Sequence, residues 1–221
     1  MLQRSLIFGL IEQQIVETDW FGVGKIVSVI MYSKSNLLDI IQLRPVELDD
    51  IASVRYVHKT AFEILAGDKH SEDEVKAHID MIVSQAYIEK ILSCNMYCAL
   101  IDDEIVGTAG WCPADDNGRT ARIKKVFVRP LFHTMGIGKI LVKNAEKRAV
   151  QAGFDHFSVQ SNINAVPFYK CLNYKISSHG IMTTPMDVDL PVAFMRKQVQ
   201  PAQTIFSRRL SAFSEENRMC A

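Results

Sequence analysis

A mixed α/β domain around one central twisted sheet is predicted for this chain of 221 residues by three observations. The spacing of apolar residues switches between helical and strand periods in the order β-α-α-β-β-β-α-β-α-β-β. Turn signals divide the strand-rich middle into hairpins, and a Gly-Ile-Gly turn joins one strand to a long helix. About seven strands and about four helices follow, in an α+β or mixed α/β arrangement with no internal repeat. With 48% hydrophobic and 23% charged residues, one domain of about 100–200 residues with tails is expected. We place an N-terminal extension at 1–38, the domain at 39–199 and a C-terminal tail at 200–221.

The elements can be justified in order. DIIQLRPV (39–46) reads as a strand stopped by Pro45. Ile51, Val54, His58, Ala61, Phe62 and Leu65 recur at helical spacing and define an amphipathic helix. SEDE (71–74) is a capping box, in which the Ser71 hydroxyl accepts from the third helical amide while Glu74 reaches back. It opens a second helix through Val75, Ile79, Ile82, Val83 and Ala86. MYCALI and IVGTAGWC flank the acidic turn Asp102-Asp103-Glu104 and make a hairpin. A second hairpin turns at DDNG (115–118), whose Asn117-Gly118 pair tolerates positive φ, and leads into TARIKKVFV. Ile137, Leu141, Ala145, Ala149 and Ala152 then form one helical face closed by Gly153. HFSVQ is a strand, NAVPFYKCL a short helix, and NYKISSH and LPVAFMRK the last strands.

Composition excludes several function classes. A net charge of +0 gives no global attraction to nucleic acid or an anionic membrane. No apolar run approaches the roughly 20 residues of a membrane span. The short apolar core at 6–11 ends at Glu12 without a small-residue cleavage site, so a cytoplasmic protein is expected. Cys94, Cys98, Cys112, Cys171 and Cys220 form no CxxC pair and lie in apolar surroundings, which reads as reduced core thiols. Cys94 and Cys98 have no further local ligands, and no metal is expected.

The Gly136-Ile137-Gly138 turn is the strongest local signal. A Walker A loop needs a glycine where His133 stands and Ser or Thr where Ile140 stands. A dinucleotide fingerprint needs a small residue in place of Leu141 and an acidic end to the next strand, which ends at Gln160. Neither fits. A pyrophosphate held by successive amides at a helix N-terminus does fit. Here the chain resembles the GNAT superfamily of N-acetyltransferases, whose signature is Arg/Gln-x-x-Gly-x-Gly/Ala after a hydrophobic strand. The window reads His133-Thr134-Met135-Gly136-Ile137-Gly138, with histidine at the leading position. The family's later motif is also matched by Asn162, Ala165, Phe168 and Tyr169 in NINAVPFYKCLNY, with Asn173 where glycine is frequent. The early IQLRPVELDDIASV is similar to the family's first strand and helix, so the resemblance covers about 39–199.

The resemblance implies acetyl-CoA as cosubstrate and transfer to a primary amine of a small molecule or peptide. It implies that Val126, Phe127 and Val128 pair with the pantetheine arm, and that amides between Thr134 and Lys139, including Met135, cradle the pyrophosphate beside His133. Asn162 would bond the arm or cap the short helix. Tyr169 would protonate the departing thiolate, and a backbone N–H near Val126 would stabilise the oxyanion. TARIKKVFV carries no carboxylate to serve as general base. Acidic residues Glu63, Asp68, Glu72, Asp73 and Glu74, around Lys69 and His70, suit either a cationic acceptor or a solvated helix start; Trp111 suits either site or core. A homodimer is compatible with this reading. The alternative is a non-catalytic acyl-CoA-binding or regulatory module of the same fold, and a transferase of longer acyl groups is a third.

Overall fold

Each change of period in the sequence becomes an element. The structure, a computed structural model, describes residues 40–66, 71–114, 118–183 and 188–199, and a compact unit begins at Gln42. In chain order come β1 (Gln42–Pro45), α1 (Ile51–Ala66), α2 (Glu72–Val83), α3 (Gln85–Leu92), β2 (Asn95–Ile101), β3 (Glu104–Pro113) and β4 (Thr120–Val128). Then follow α4 (Ile137–Gln151), β5 (His156–Asn162), α5 (Val166–Cys171), β6 (Lys175–Thr183) and β7 (Asp189–Gln198). The seven strands form one sheet in the order β1-β2-β3-β4-β5-β7-β6. Only β4 and β5 pair in parallel; every other neighbouring pair is antiparallel.

The expected fold class is correct, with one more helix than predicted. The second helix does not run through Ala86 but breaks at Ser84, which is extended at ψ 155°. Its hydroxyl donates to Met81 O at 2.7 Å and accepts from the Tyr87 N–H at 3.3 Å. A serine that bonds the backbone on both sides ends one helix and starts the next. At the other end of α2 the Ser71–Glu74 capping box forms, with contacts of 2.7 and 3.2 Å. Residues 1–39 and 200–221, Asp68 to His70, Cys220 and the Asp115–Asn117 part of the second turn lie outside the described residues. In the first hairpin turn, Asp102 and Asp103 take φ of 49° and 63°, the left-handed pair a tight two-residue connection requires.

Two apolar layers cover the sheet. On one face Val54, Val57, Phe62, Ile82, Tyr87 and Ile91 of α1–α3 pack with Met96, Cys98, Leu100 and Ile105. On the other, Ile137, Leu141, Val142, Ala145 and Ala149 of α4 are buried, each large side chain contributing about 1.5–3 kcal/mol. Gly107 allows α4 to approach: a Cβ there would meet Leu141 Cδ1 and the Phe127 carbonyl at 3.0 Å. Glu146 of α4 ties this layer to the last strands, accepting from the Tyr174 hydroxyl at 2.7 Å and from Lys197 at 2.7 and 2.8 Å. Among the described residues no helix is long and apolar enough to cross a membrane.

Candidate active site

The site begins with a fault in β4. Its register with β3 runs Gly107↔Val128 and Thr108↔Phe127, then resumes at Gly110↔Lys124, so Ala109 faces both Lys125 and Val126. This bulge places Lys125 at φ 56°, a conformation that costs a non-glycine residue about 1–3 kcal/mol. The parallel pairing of β4 with β5 runs only from Thr120↔His156 to Ile123↔Val159. Beyond Ile123 the two strands part, leaving Val126, Phe127 and Val128 with an edge that β5 does not cover.

The open edge leads directly into the glycine turn. Thr134 at φ 66° and Gly136 at φ 93° bend the chain so that α4 starts at Ile137. The first helical bond is from the Ile140 N–H to Gly136 O at 3.2 Å. Among the described residues, the amides of Thr134, Met135, Gly136, Ile137, Gly138 and Lys139 have no backbone acceptor. A run of unpaired amides at a helix N-terminus suits an anion. Gly138 is packed tightly: a Cβ there would lie 3.3 Å from the Phe168 ring and 3.6 Å from Val128 Cγ2. His133 has a role the sequence did not reveal. Its Nε2 donates to Val128 O at 2.9 Å, bracing the end of β4 against the turn.

Beneath the bulge lies a buried polar chain. Thr108 Oγ1 donates to the Lys125 carbonyl at 2.8 Å, so it accepts from His58 Nε2 at 2.7 Å. His58 Nδ1 in turn accepts from the Tyr87 hydroxyl at 2.8 Å. Every partner is satisfied only by a neutral imidazole protonated at Nε2. Burial, and then the charges of Lys125 and His78, hold the His58 pKa well below its usual value, consistent with that form. The ring also packs on Phe127, with centroids 4.3 Å apart. The chain therefore links α3, α1 and β3 to the bulge.

The Lys125 side chain turns into the same helical layer, its Nζ 3.5 Å from the centroid of the Tyr87 ring. Burial first, and then the like charges of Lys90 and Lys124, push its pKa down to about 7, while Cys94 acts in the opposite direction. Among the described residues no carboxylate forms an ion pair with it. Sequence reasoning missed Lys125, His58, Thr108 and Tyr87 as a group. Two signals pointed there: a histidine on the apolar face of a helix, and adjacent lysines in a strand that otherwise alternates.

The later motif lies on β5 and α5. Asn162 Oδ1 accepts from the Asn164 N–H at 2.9 Å, capping the short turn before α5. Tyr169 is buried between Phe168 and Tyr174, with ring centroids at 5.0 and 5.6 Å. Burial raises its pKa, so the phenol stays protonated at neutral pH. Other candidates take structural positions. Glu72, Asp73 and Glu74 form the first turn of α2, and Glu63 is exposed and paired with Lys59 at 3.8 Å. Trp111 is buried and meets Phe154 edge-on at 5.4 Å. Cys98 is buried, Cys94 and Cys112 are part-exposed, and Cys171 is exposed, contrary to a uniformly core set of thiols.

A splayed pair of parallel strands, a bulge on one of them and an amide-lined turn into a helix define an acetyltransferase fold. The sequence model of the acetyltransferase (GNAT) family matches residues 58–174, just over half of the chain, and the chain belongs to this family of N-acetyltransferases. It is 27% identical over 82 residues to the uncharacterized protein YyaT of Bacillus subtilis, covering 37% of this chain and 53% of YyaT, so the matched part spans about half the length of that relative. It is 26% identical over 107 residues to the uncharacterized N-acetyltransferase YjcF of the same organism, covering 48% of this chain and 74% of YjcF. A GCN5-related N-acetyltransferase from Rhodopseudomonas palustris superposes with a TM-score of 0.65 at 21% identity, covering 72% of this chain and 95% of that one. The PaiA N-acetyltransferase from Thermoplasma acidophilum, solved in complex with coenzyme A, does so with a TM-score of 0.58 at 17% identity, covering 72% and 98%. At these identities the structural likeness is one of fold.

Proposed function

We propose that this chain transfers the acetyl group of acetyl-CoA to a primary amine of a small molecule or peptide. The observation that carries the reading is the uncovered β4 edge beyond Ile123 running into a turn whose amides from Thr134 to Lys139 lack backbone acceptors. A pantetheine arm would pair along Val126 to Val128, and its pyrophosphate would take the amides. Acetyl-CoA supplies an activated thioester when bound.

The chain's own groups then have distinct tasks. Lys125, neutral in part near pH 7, accepts a proton from the incoming ammonium and fills the place of the absent carboxylate. The backbone N–H near Val126 faces the developing oxyanion. Tyr169 holds a proton for the departing thiolate. Asn162 fixes the start of the turn that carries Tyr169. A catalytic domain over 39–199, a cytoplasmic setting and an acceptor that is neither nucleic acid nor membrane go with this reading.

Calorimetry with CoA, NAD and ATP, followed by thiol release from acetyl-CoA across an amine panel, tests it. Micromolar CoA binding with clear preference over the other nucleotides is expected. Tyr169→Phe should lower turnover by roughly 10²-fold with coenzyme affinity unchanged. Equal affinity for all three nucleotides would sink the cradle. Tight CoA binding without turnover on any amine would favour the regulatory module.

A further inference from the structure

A second chemical site lies on the same sheet face as Lys125. Asn95 is paired with Trp111 at the start of β2 and near the end of β3, and Cys94 and Cys112 flank that pair, one just before Asn95 and the other just after Trp111. Adjacent antiparallel positions have Cα atoms about 4.5–5.5 Å apart, inside the range a disulfide spans. Each thiol bears on the other's ionisation, raising the pKa of Cys94 and lowering that of Cys112, and both residues are part-exposed. The neighbouring strand adds positive charge: Arg122 is the register partner of Cys112, and Lys124 follows two residues on, opposite Gly110.

We propose that Cys94 and Cys112 form a cross-strand dithiol that a hydroperoxide oxidises to an intramolecular disulfide. Cys112 is the attacking thiolate. The Cys94 thiol comes first in lowering its pKa below the usual thiol value, with Lys124 and Arg122 adding to it against the opposing effect of burial. Its sulfur takes the terminal oxygen as the O–O bond breaks, giving a sulfenic acid and an alkoxide that is protonated to an alcohol. Cys94, having lost its proton, then attacks that sulfur and expels hydroxide, which leaves as water. Two thiols and one hydroperoxide thus give one disulfide, one alcohol and one water. Neither step involves acyl transfer, so the site stands apart from the proposed activity. Cys98 is buried and Cys171 lies at the end of α5, so neither shares this pairing.

The test uses the full, reduced chain treated with hydrogen peroxide at neutral pH, then alkylated and mapped by mass spectrometry. The monomer should lose the mass of two hydrogens and two alkylatable thiols, yield a Cys94–Cys112 linked peptide, and recover with dithiothreitol. Cys94→Ser should accumulate a dimedone-trappable sulfenic acid at Cys112. Cys112→Ser should slow peroxide consumption roughly tenfold or more, with an unchanged melting temperature as the control for folding. First reaction at Cys171, an intermolecular disulfide, or over-oxidation of Cys112 with Cys94 still alkylatable would overturn the proposal. Because peptide mapping of the parent chain decides alone, an unstable variant does not spare it.

Discussion

The two halves of β4 differ more than any two neighbouring regions of the sheet. From Thr120 to Ile123 the strand is paired on both sides, with β3 and with β5, and its Ala121 and Ile123 are fully buried. From Lys125 to Val128 it keeps β3 but not β5, bends at a left-handed lysine, and is latched from below by Thr108. The first half is held by its ladder. The second is held by a side-chain network, which leaves an edge free to receive an extended ligand. Opening a sheet in this way requires something else to fix the freed strand, and here that is a buried chain of neutral donors and acceptors.

The largest expected effect falls on the open half. Gly138→Val would drive a branched side chain toward the Phe168 ring and Val128, so CoA affinity measured by calorimetry should drop by roughly 10²-fold or more. The circular dichroism spectrum should match that of the parent. Next is Lys125→Met, which keeps length and burial but removes the amine. The parent's kcat/KM should rise with pH through about 7, as the Lys125 ammonium loses its proton among Lys90, Lys124, Cys94 and Tyr87. The variant should lose that limb and roughly 10²-fold in rate at neutral pH. A retained limb would assign the base elsewhere.

Smaller effects test the latch itself. Thr108→Val leaves the His58 Nε2–H buried without an acceptor, so chemical denaturation should show a loss of about 1–3 kcal/mol, whereas Thr108→Ser should restore most of it. The smallest is a pH effect. The folded-state pKa of His58 is depressed by burial, so the unfolded chain binds the extra proton as pH falls below about 6.5. Stability should therefore be full above that pH and decline below it. His58→Phe should flatten the acid side of the melting-temperature profile, and an unchanged slope would mean that other groups control it.

The paired half of the sheet was the legible part. Alternation in MYCALI and IVGTAGWC, and turn residues such as Asp102 and Asp103, specify strands locally, so the hairpin could be read without knowing its partners. The Gly136–Gly138 turn was legible for the same reason, since its backbone demands are written in its own residues. The latch was not. His58, Tyr87, Thr108 and Lys125 lie on four elements far apart in sequence, and nothing local fixes a hydrogen bond between positions 58 and 108. His133 shows the same limit: its place in the phosphate window suggested a ligand contact, while the fold gives its Nε2 to Val128. Ser84 marks a different failure, because a polar residue that stops and restarts a helix leaves the apolar period nearly unbroken.

The His58 chain has one more consequence. Its Nε2 proton lies between two fully buried side chains, His58 and Thr108. It should exchange slowly enough to give a resolved downfield imidazole resonance in proton NMR at neutral pH. That single signal would act as a reporter built in beneath the β4 bulge. Whatever draws the β4 bulge toward or away from α1 should move it, without any label being introduced at the surface.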